Sequence, residues 1–80
     1  MRLDKYLKVS RIVKRRTLAN ELCDAGRVQV NGRVARASFT LKTGDEIELS
    51  LGQRLVRVKV LDTQEKPGKD LAREMYEVLS

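Results

Sequence analysis

The chain opens with a short helical pattern of hydrophobic residues. Leu3, Tyr6 and Leu7 are spaced as on one face of a helix, which predicts a first helix from residue 3 to residue 8 or 9. Ser10 follows, and its hydroxyl is suited to capping a further turn through residues 11–13.

A second helix is predicted from Thr17 to Ala25, directly before a glycine. Its apolar spacing comes from Leu18, Leu22 and Ala25, with Ala19 and Cys23 beside them. Gly26 suits the left-handed position that ends many helices. Cys23 is expected to be a small core residue, because it is the one cysteine of a chain without histidine.

The pattern then changes to the period of two that is typical of strands. Residues 28–30 alternate, Asn31-Gly32 supplies the strongest short hairpin signal, and Val34 begins the return strand. Residues 47–51 and 56–60 alternate in the same way, separated by a turn at Gly52-Gln53. Four short strands with tight turns predict a small twisted sheet or a partial barrel.

The end of the chain is harder to interpret. Residues 62–70 contain the one proline and few apolar residues, which predicts an exposed loop, and a helical turn leading into an extended end is expected after it. We therefore expect an α+β domain over residues 1–61. Residues 62–80 are expected to form a loop and a short C-terminal extension that packs on the same domain.

Charge divides the chain into two unequal halves. Residues 1–36 contain ten Lys or Arg against three Asp or Glu, a balance of +7, whereas residues 37–80 have a balance of −1. This asymmetry is typical of proteins that bind a polyanion, although a basic face can also be merely solvated. The acids Glu46 and Glu48 indicate that the side carrying the predicted strand 47–51 faces away from the polyanion.

Several kinds of chemistry lack their usual residues. Without histidine, and with one cysteine, the chain has neither the commonest general base nor the ligands of a zinc cluster. No phosphate-loop or dinucleotide-binding glycine motif occurs. We therefore expect a protein that is not an enzyme and uses no metal or cofactor. No apolar stretch has the length of a membrane span, which favours a cytoplasmic protein with no membrane partner.

Lys14, Arg15 and Arg16 form a run of cations directly before the second helix. Their mutual repulsion is tolerated where a phosphate group is to be bound, and a helix N-terminus adds amide donors of its own. The alternative interpretation is a solvated loop. Arg16 is the residue we would test first: reversal to Glu is expected to abolish binding of the polyanion and to leave the fold intact.

Three ordered motifs carry a resemblance to a known family. R-L-D-K-Y-L near the start, G-R-V-x-V-N-G in the middle and K-x-G-D after it resemble the S4 RNA-binding domain. The resemblance implies two to three short N-terminal helices packed on a small twisted, mostly antiparallel sheet of four to five strands. Their basic face would dock on rRNA or tRNA. One departure is Arg15, which stands where many S4 domains have a capping Ser or Thr.

The resemblance extends to stand-alone bacterial S4 proteins of ribosome-associated quality control. It implies a monomer that binds obstructed large ribosomal subunits through 23S rRNA and peptidyl-tRNA and supports C-terminal alanine tailing by the NEMF-type factor RqcH. The alternatives are a heat-shock-type S4 protein that moves peptidyl-tRNA without tailing, and a module that binds an acidic protein. The expected RNA-binding residues are Arg2, Lys5, Lys8, Arg11, Lys14, Arg15, Arg16, Thr17, Asn20 and Arg33.

Overall fold

A computed structural model of the chain describes residues 1–63 and 72–80. Two helices, α1 (Leu3–Val9) and α2 (Arg16–Asp24), precede the sheet. The strands are β1 (Val28–Val30), β2 (Arg33–Val34), β3 (Glu46–Leu51), β4 (Arg54–Val60) and β5 (Tyr76–Val78). They form one sheet in the order β2-β1-β3-β4-β5, and every neighbouring pair is antiparallel. The predicted α+β fold is confirmed.

The hydrophobic core lies between the helices and one face of the sheet. Alternate strand residues point into it, and each is at most 4% exposed: Val28, Val30, Ile47, Leu49, Val58 and Val60. From α1 come Leu3, Tyr6 and Leu7, which are fully buried as their spacing predicts. The other face of the sheet carries polar rows such as Gln29, Glu48 and Arg57, which pair across three strands.

Helix α2 begins one residue earlier than predicted, and a different face of it is buried. Ala19 and Cys23 are in the core, whereas Leu18 is 41% exposed and Ala25 is the exposed residue that closes the helix. The prediction that Leu18 and Ala25 belong to the apolar face was wrong. Two small residues on the buried side allow α2 to lie close against its neighbours, and a leucine there would need more room.

The predicted turn after α1 is also different. Ser10 closes α1, and its hydroxyl donates to the Leu7 carbonyl at 3.4 Å instead of capping a new turn. Residues 11–13 form bends, with the Val13 amide returning to the Leu7 carbonyl at 3.0 Å. Arg11 has a φ of +64°, a left-handed backbone conformation that residues other than glycine rarely adopt.

Glycines act where the sequence predicted. Gly26 has a φ of +72°, its amide donates to the Cys23 carbonyl, and the Arg27 amide donates to the Leu22 carbonyl. This pair of hydrogen bonds is the Schellman motif, which ends α2. Asn31 and Gly32 both have positive φ and join β1 to β2 as a two-residue hairpin, so the predicted turn is confirmed.

The C-terminal segment contacts both strand β4 and helix α1. A short 3-10 helix (Ala72–Met75) leads into β5, which pairs with β4, and this confirms the predicted helical turn followed by an extended end. The buried Tyr6 hydroxyl donates to the Met75 carbonyl at 2.5 Å, and burial raises the pKa of Tyr6 above its ordinary value. The predicted loop at residues 62–70 lies mostly outside the described residues.

Candidate nucleic-acid interface

A buried aspartate organises the basic side chains at the start of the two helices. Asp4 is 1% exposed and lies in the first turn of α1. Its carboxylate accepts hydrogen bonds from Arg2 Nε at 3.2 Å, Arg16 Nε at 3.1 Å and Asn20 Nδ2 at 2.9 Å. The Lys5 amide donates to it at 2.8 Å. We refer to Arg2, Asp4, Arg16 and Asn20 as the Asp4 cluster.

Two opposing effects set the acidity of Asp4. Burial alone would raise the pKa of this carboxyl, because the charged form loses its hydration. Hydrogen bonds from Arg16, Asn20, Arg2 and the Lys5 amide favour the charged form and outweigh burial, so that the pKa of Asp4 lies below its ordinary value of 3.8. The carboxylate is therefore ionised at neutral pH and holds both guanidinium groups in place.

The two arginines of the Asp4 cluster keep a solvent-facing side. The side chain of Arg2 is 52% exposed and that of Arg16 is 46% exposed, although each pairs with the carboxylate. Two guanidinium charges and one carboxylate leave the cluster with a charge of +1. A preformed pair of guanidinium groups loses less conformational entropy when it binds phosphate oxygens than two mobile side chains would.

Three further cations surround a shallow hollow beyond the end of α1. The hollow is lined by Lys8, Arg11, Val13 and Lys14, and we call it the Lys8 hollow. Arg11, one of the lining residues, has a left-handed backbone conformation, which costs roughly 1–2 kcal/mol for a residue with a Cβ atom. Strain of this kind is often concentrated at functional sites. The hollow offers three positive charges to one anionic group.

Arg15 and Thr17 lie at the exposed start of α2. Arg15 is the N-cap residue, with extended backbone, and makes no capping side-chain hydrogen bond. The first amides of α2 therefore receive no capping acceptor from the Arg15 side chain. Arg33 lies elsewhere, on β2 at the edge of the sheet. The structure thus groups Arg2, Arg16 and Asn20 in one cluster and Lys8, Arg11 and Lys14 in another.

Asp4 is not among the residues predicted from the sequence, although it contacts more of those residues than any other side chain in the described part of the chain. No local signal distinguishes it from an ordinary acid in the first turn of a helix. Its position also changes the expected test at Arg16. A glutamate at residue 16 would face the buried carboxylate of Asp4, so that the reversal would lower stability as well as binding.

Cys23 is confirmed as a buried core residue. Burial, with smaller contributions from the charges of Asp4 and Asp24, raises the pKa of the Cys23 thiol to about 11. The thiol is therefore protonated at neutral pH and has little nucleophilic character.

Within residues 1–63 and 72–80, no group of three or more Cys, Asp or Glu side chains is placed to hold a metal ion. None of the described helices has the length and apolar character needed to cross a membrane.

Two short helices that carry basic residues at their starts, packed on a small antiparallel sheet, form a class of domain whose charge suits a polyanionic ligand. The model of the S4 domain family matches residues 1–47, and the chain belongs to this family. It is 52% identical over 80 residues to the RQC P-site tRNA stabilizing factor of Streptococcus pneumoniae, covering all of this chain and 91% of that protein. The protein of the same name from Bacillus subtilis is 51% identical over 79 residues, covering 99% and 92%.

Among solved structures, the chain resembles the trimeric structure of heat shock protein 15 from Vibrio cholerae. The TM-score is 0.90 at 28% identity, and the match covers 100% of this chain and 82% of that one. The similarity in fold therefore extends along the whole of this chain, whereas the sequence identity is higher to the two P-site tRNA stabilizing factors.

Proposed function

We propose that this protein binds P-site tRNA on obstructed large ribosomal subunits during ribosome-associated quality control. The observation that supports it most strongly is the similarity to P-site tRNA stabilizing factors, which extends along the whole chain. The Asp4 cluster lies within the part that matches the S4 domain, and it presents two half-exposed guanidinium groups.

Binding would be mainly electrostatic. Guanidinium and ammonium groups of the Asp4 cluster and the Lys8 hollow would contact phosphate oxygens, and the surface would read the shape of folded RNA more than its sequence. Five to seven such contacts would give a slope of log affinity against log salt of roughly −4 to −6 on duplex-type scaling. The 23S rRNA and the P-site tRNA are the proposed RNA partners.

The finer proposal concerns what this binding accomplishes. By holding peptidyl-tRNA in place, the protein would support the NEMF-type factor RqcH as it extends the stalled chain with alanine. The protein itself would carry out no chemical step, and cytoplasm is the expected compartment.

Substitutions at the Lys8 hollow test RNA binding without disturbing the Asp4 cluster. Lys14→Glu is expected to weaken co-sedimentation with large subunits that carry peptidyl-tRNA, and Lys14→Gln to reduce the salt slope by about 1. Arg11→Gly is expected to weaken binding as well while keeping stability or raising it by up to about 1 kcal/mol, because glycine adopts positive φ without strain.

Lys59→Glu is the matched control, because Lys59 is exposed on the other face of the sheet. It changes the net charge by the same amount as Lys14→Glu. Its cross-strand neighbours are Glu46 and Glu77, so the new carboxylate faces two like charges and is expected to lower stability by about 1–2 kcal/mol, which thermal unfolding measures. Equal binding by Lys14→Glu and the wild type, or an equal loss in Lys59→Glu, would contradict the proposed surface.

A heat-shock-type role is the second candidate, favoured by the TM-score of 0.90 to heat shock protein 15. Such a protein would move peptidyl-tRNA without alanine tailing. A reconstituted reaction with RqcH separates the two roles. Stimulated alanine addition supports the first, and movement of peptidyl-tRNA without alanine addition supports the second.

A further inference from the structure

A second hollow lies at the β2 edge of the sheet, apart from the Lys8 hollow. We call it the Phe39 hollow. Its walls are formed by Val30, Asn31, Arg33, Val34, Ala35 and Phe39. Phe39 is 40% exposed and Val34 is 62% exposed, so two apolar side chains that line the hollow are partly open to solvent. An aromatic ring is rare in this chain, which has three.

The polar groups around this hollow are cationic or already engaged. Asn31 donates from Nδ2 to Asp45 at 3.1 Å, and its Oδ1 accepts from the Glu46 amide at 3.0 Å. The second oxygen of Asp45 accepts from the Lys42 amide at 2.9 Å. Arg33 lines the hollow and is exposed, and Arg36 is an exposed residue of the turn that precedes Phe39.

The Phe39 hollow adjoins the Asp4 cluster through the backbone. The Leu3 amide donates to the Phe39 carbonyl at 2.8 Å, and Arg2 is bridged to Thr40 in an antiparallel pair. Phe39 directly precedes Thr40 in the chain, so the backbone that carries the Phe39 side chain runs beside the backbone of Arg2.

We propose that the Phe39 hollow takes the base of one unpaired nucleotide, which stacks on the Phe39 ring while Arg33 contacts its phosphate. The proposal rests on the proposed function, since the nucleotide belongs to the RNA held by the Asp4 cluster. Stacking on an aromatic ring and a neighbouring guanidinium is the usual way in which proteins hold unpaired bases.

Charge favours a polyanion at this hollow. Arg33 lines it, and Arg36 is an exposed residue three positions before Phe39 in the chain. Stacking on the ring is the main contact of this arrangement, and every base has a face that can stack. The hollow is therefore expected to require an unpaired base and to tolerate any of the four.

Ultraviolet crosslinking tests the contact directly. The full-length protein is bound to large subunits that carry peptidyl-tRNA, irradiated, digested with trypsin and nuclease, and examined by mass spectrometry. Cleavage after Arg36 and Lys42 releases residues 37–42 as one peptide with Phe39 as its one aromatic residue. A nucleotide adduct at Phe39 is expected.

Variants at the same position separate stacking from packing. Phe39→Leu keeps an apolar side chain but loses the ring, and it is expected to weaken subunit binding by roughly 5- to 100-fold without changing the salt slope. Phe39→Tyr is expected to bind like the wild type. Leu55→Ala is the matched control, because Leu55 is an exposed apolar residue on the other face of the sheet.

The outcomes distinguish this proposal from the proposed function. Wild-type binding without an adduct at Phe39, or equal binding by Phe39→Leu and the wild type, overturns the base-stacking proposal and leaves the function standing. Failure of the wild type to bind the subunits overturns both. Loss of binding in Phe39→Leu with recovery in Phe39→Tyr, together with the adduct, supports the site.

Discussion

At the scale of single residues, Asp4 explains why two arginines that are 14 positions apart lie side by side. The carboxylate bonds to both guanidinium groups and to the Asn20 amide from a buried position. The proposed binding surface for a polyanion thus has an acid at its centre. The acid reduces repulsion between the two cations, and their exposed sides remain available to phosphate.

We predict that Asp4→Asn lowers both stability and RNA binding. An asparagine cannot accept all four hydrogen bonds as a carboxylate does, and it turns a donor toward other donors. The expected loss in free energy of unfolding is about 1–3 kcal/mol at neutral pH, which urea denaturation measures.

The contribution of Asp4 to the free energy of unfolding is expected to depend on pH. Because the pKa of Asp4 is lowered in the folded state, its contribution is fully present above the unfolded pKa of about 3.9 and is lost as pH falls through the lower folded value. The stability difference between wild type and Asp4→Asn should therefore narrow below about pH 4. A difference that stays constant down to pH 2 would show that the charge of Asp4 is not involved.

At the scale of elements, the local signals of the sequence were the reliable ones. Asn31-Gly32 and Gly26 determine their own backbone conformation, so the hairpin and the end of α2 were predicted correctly. The buried face of α2 depends on its neighbours instead. Leucine is more hydrophobic than alanine or cysteine, but the buried side of α2 carries Ala19 and Cys23. The hydrophobicity of single residues does not reveal which side of a helix is buried.

Two leucines of α2 provide a test of its orientation. Leu18→Ala is expected to lower the free energy of unfolding by about 0.5 kcal/mol, since Leu18 is 41% exposed. Leu22→Ala is expected to lower it by about 1–2 kcal/mol, because Leu22 packs against the core. The substitutions are chemically identical and lie in one helix, so helix propensity cancels in the comparison. A larger loss for Leu18→Ala would mean that α2 is rotated from the described position.

At the scale of the whole molecule, the charge imbalance was visible in the sequence, but the site it serves was only partly so. The run of cations before α2 drew attention to Lys14, Arg15 and Arg16. Whether a cation belongs to the Asp4 cluster or to the Lys8 hollow depends on contacts between α1 and α2. The contacting residues are far apart in the sequence, as in the Asp4–Arg16 pair, which is separated by 12 positions. Such contacts leave no periodic signal.

We predict that the protein is a monomer at micromolar concentration. The edge strands β2 and β5 have two and three residues, which gives a second copy little backbone to pair with, and a net charge of +6 opposes self-association. Light scattering after size-exclusion chromatography should give a mass of 9.1 kDa. Three times that mass would match the trimeric structure of the Vibrio cholerae relative instead.

The hydrogen bond from Tyr6 to Met75 has a consequence for how the protein folds during its synthesis. Helix α1 is among the first parts to be synthesised, yet the buried Tyr6 hydroxyl has its acceptor 69 residues later. Strand β5 is added later still, at residues 76–78. The nascent chain therefore cannot complete its core until Met75 and β5 have left the ribosome. A product truncated before residue 75 would contain every cation of the Asp4 cluster and the Lys8 hollow but would lack the acceptor that holds α1 in place.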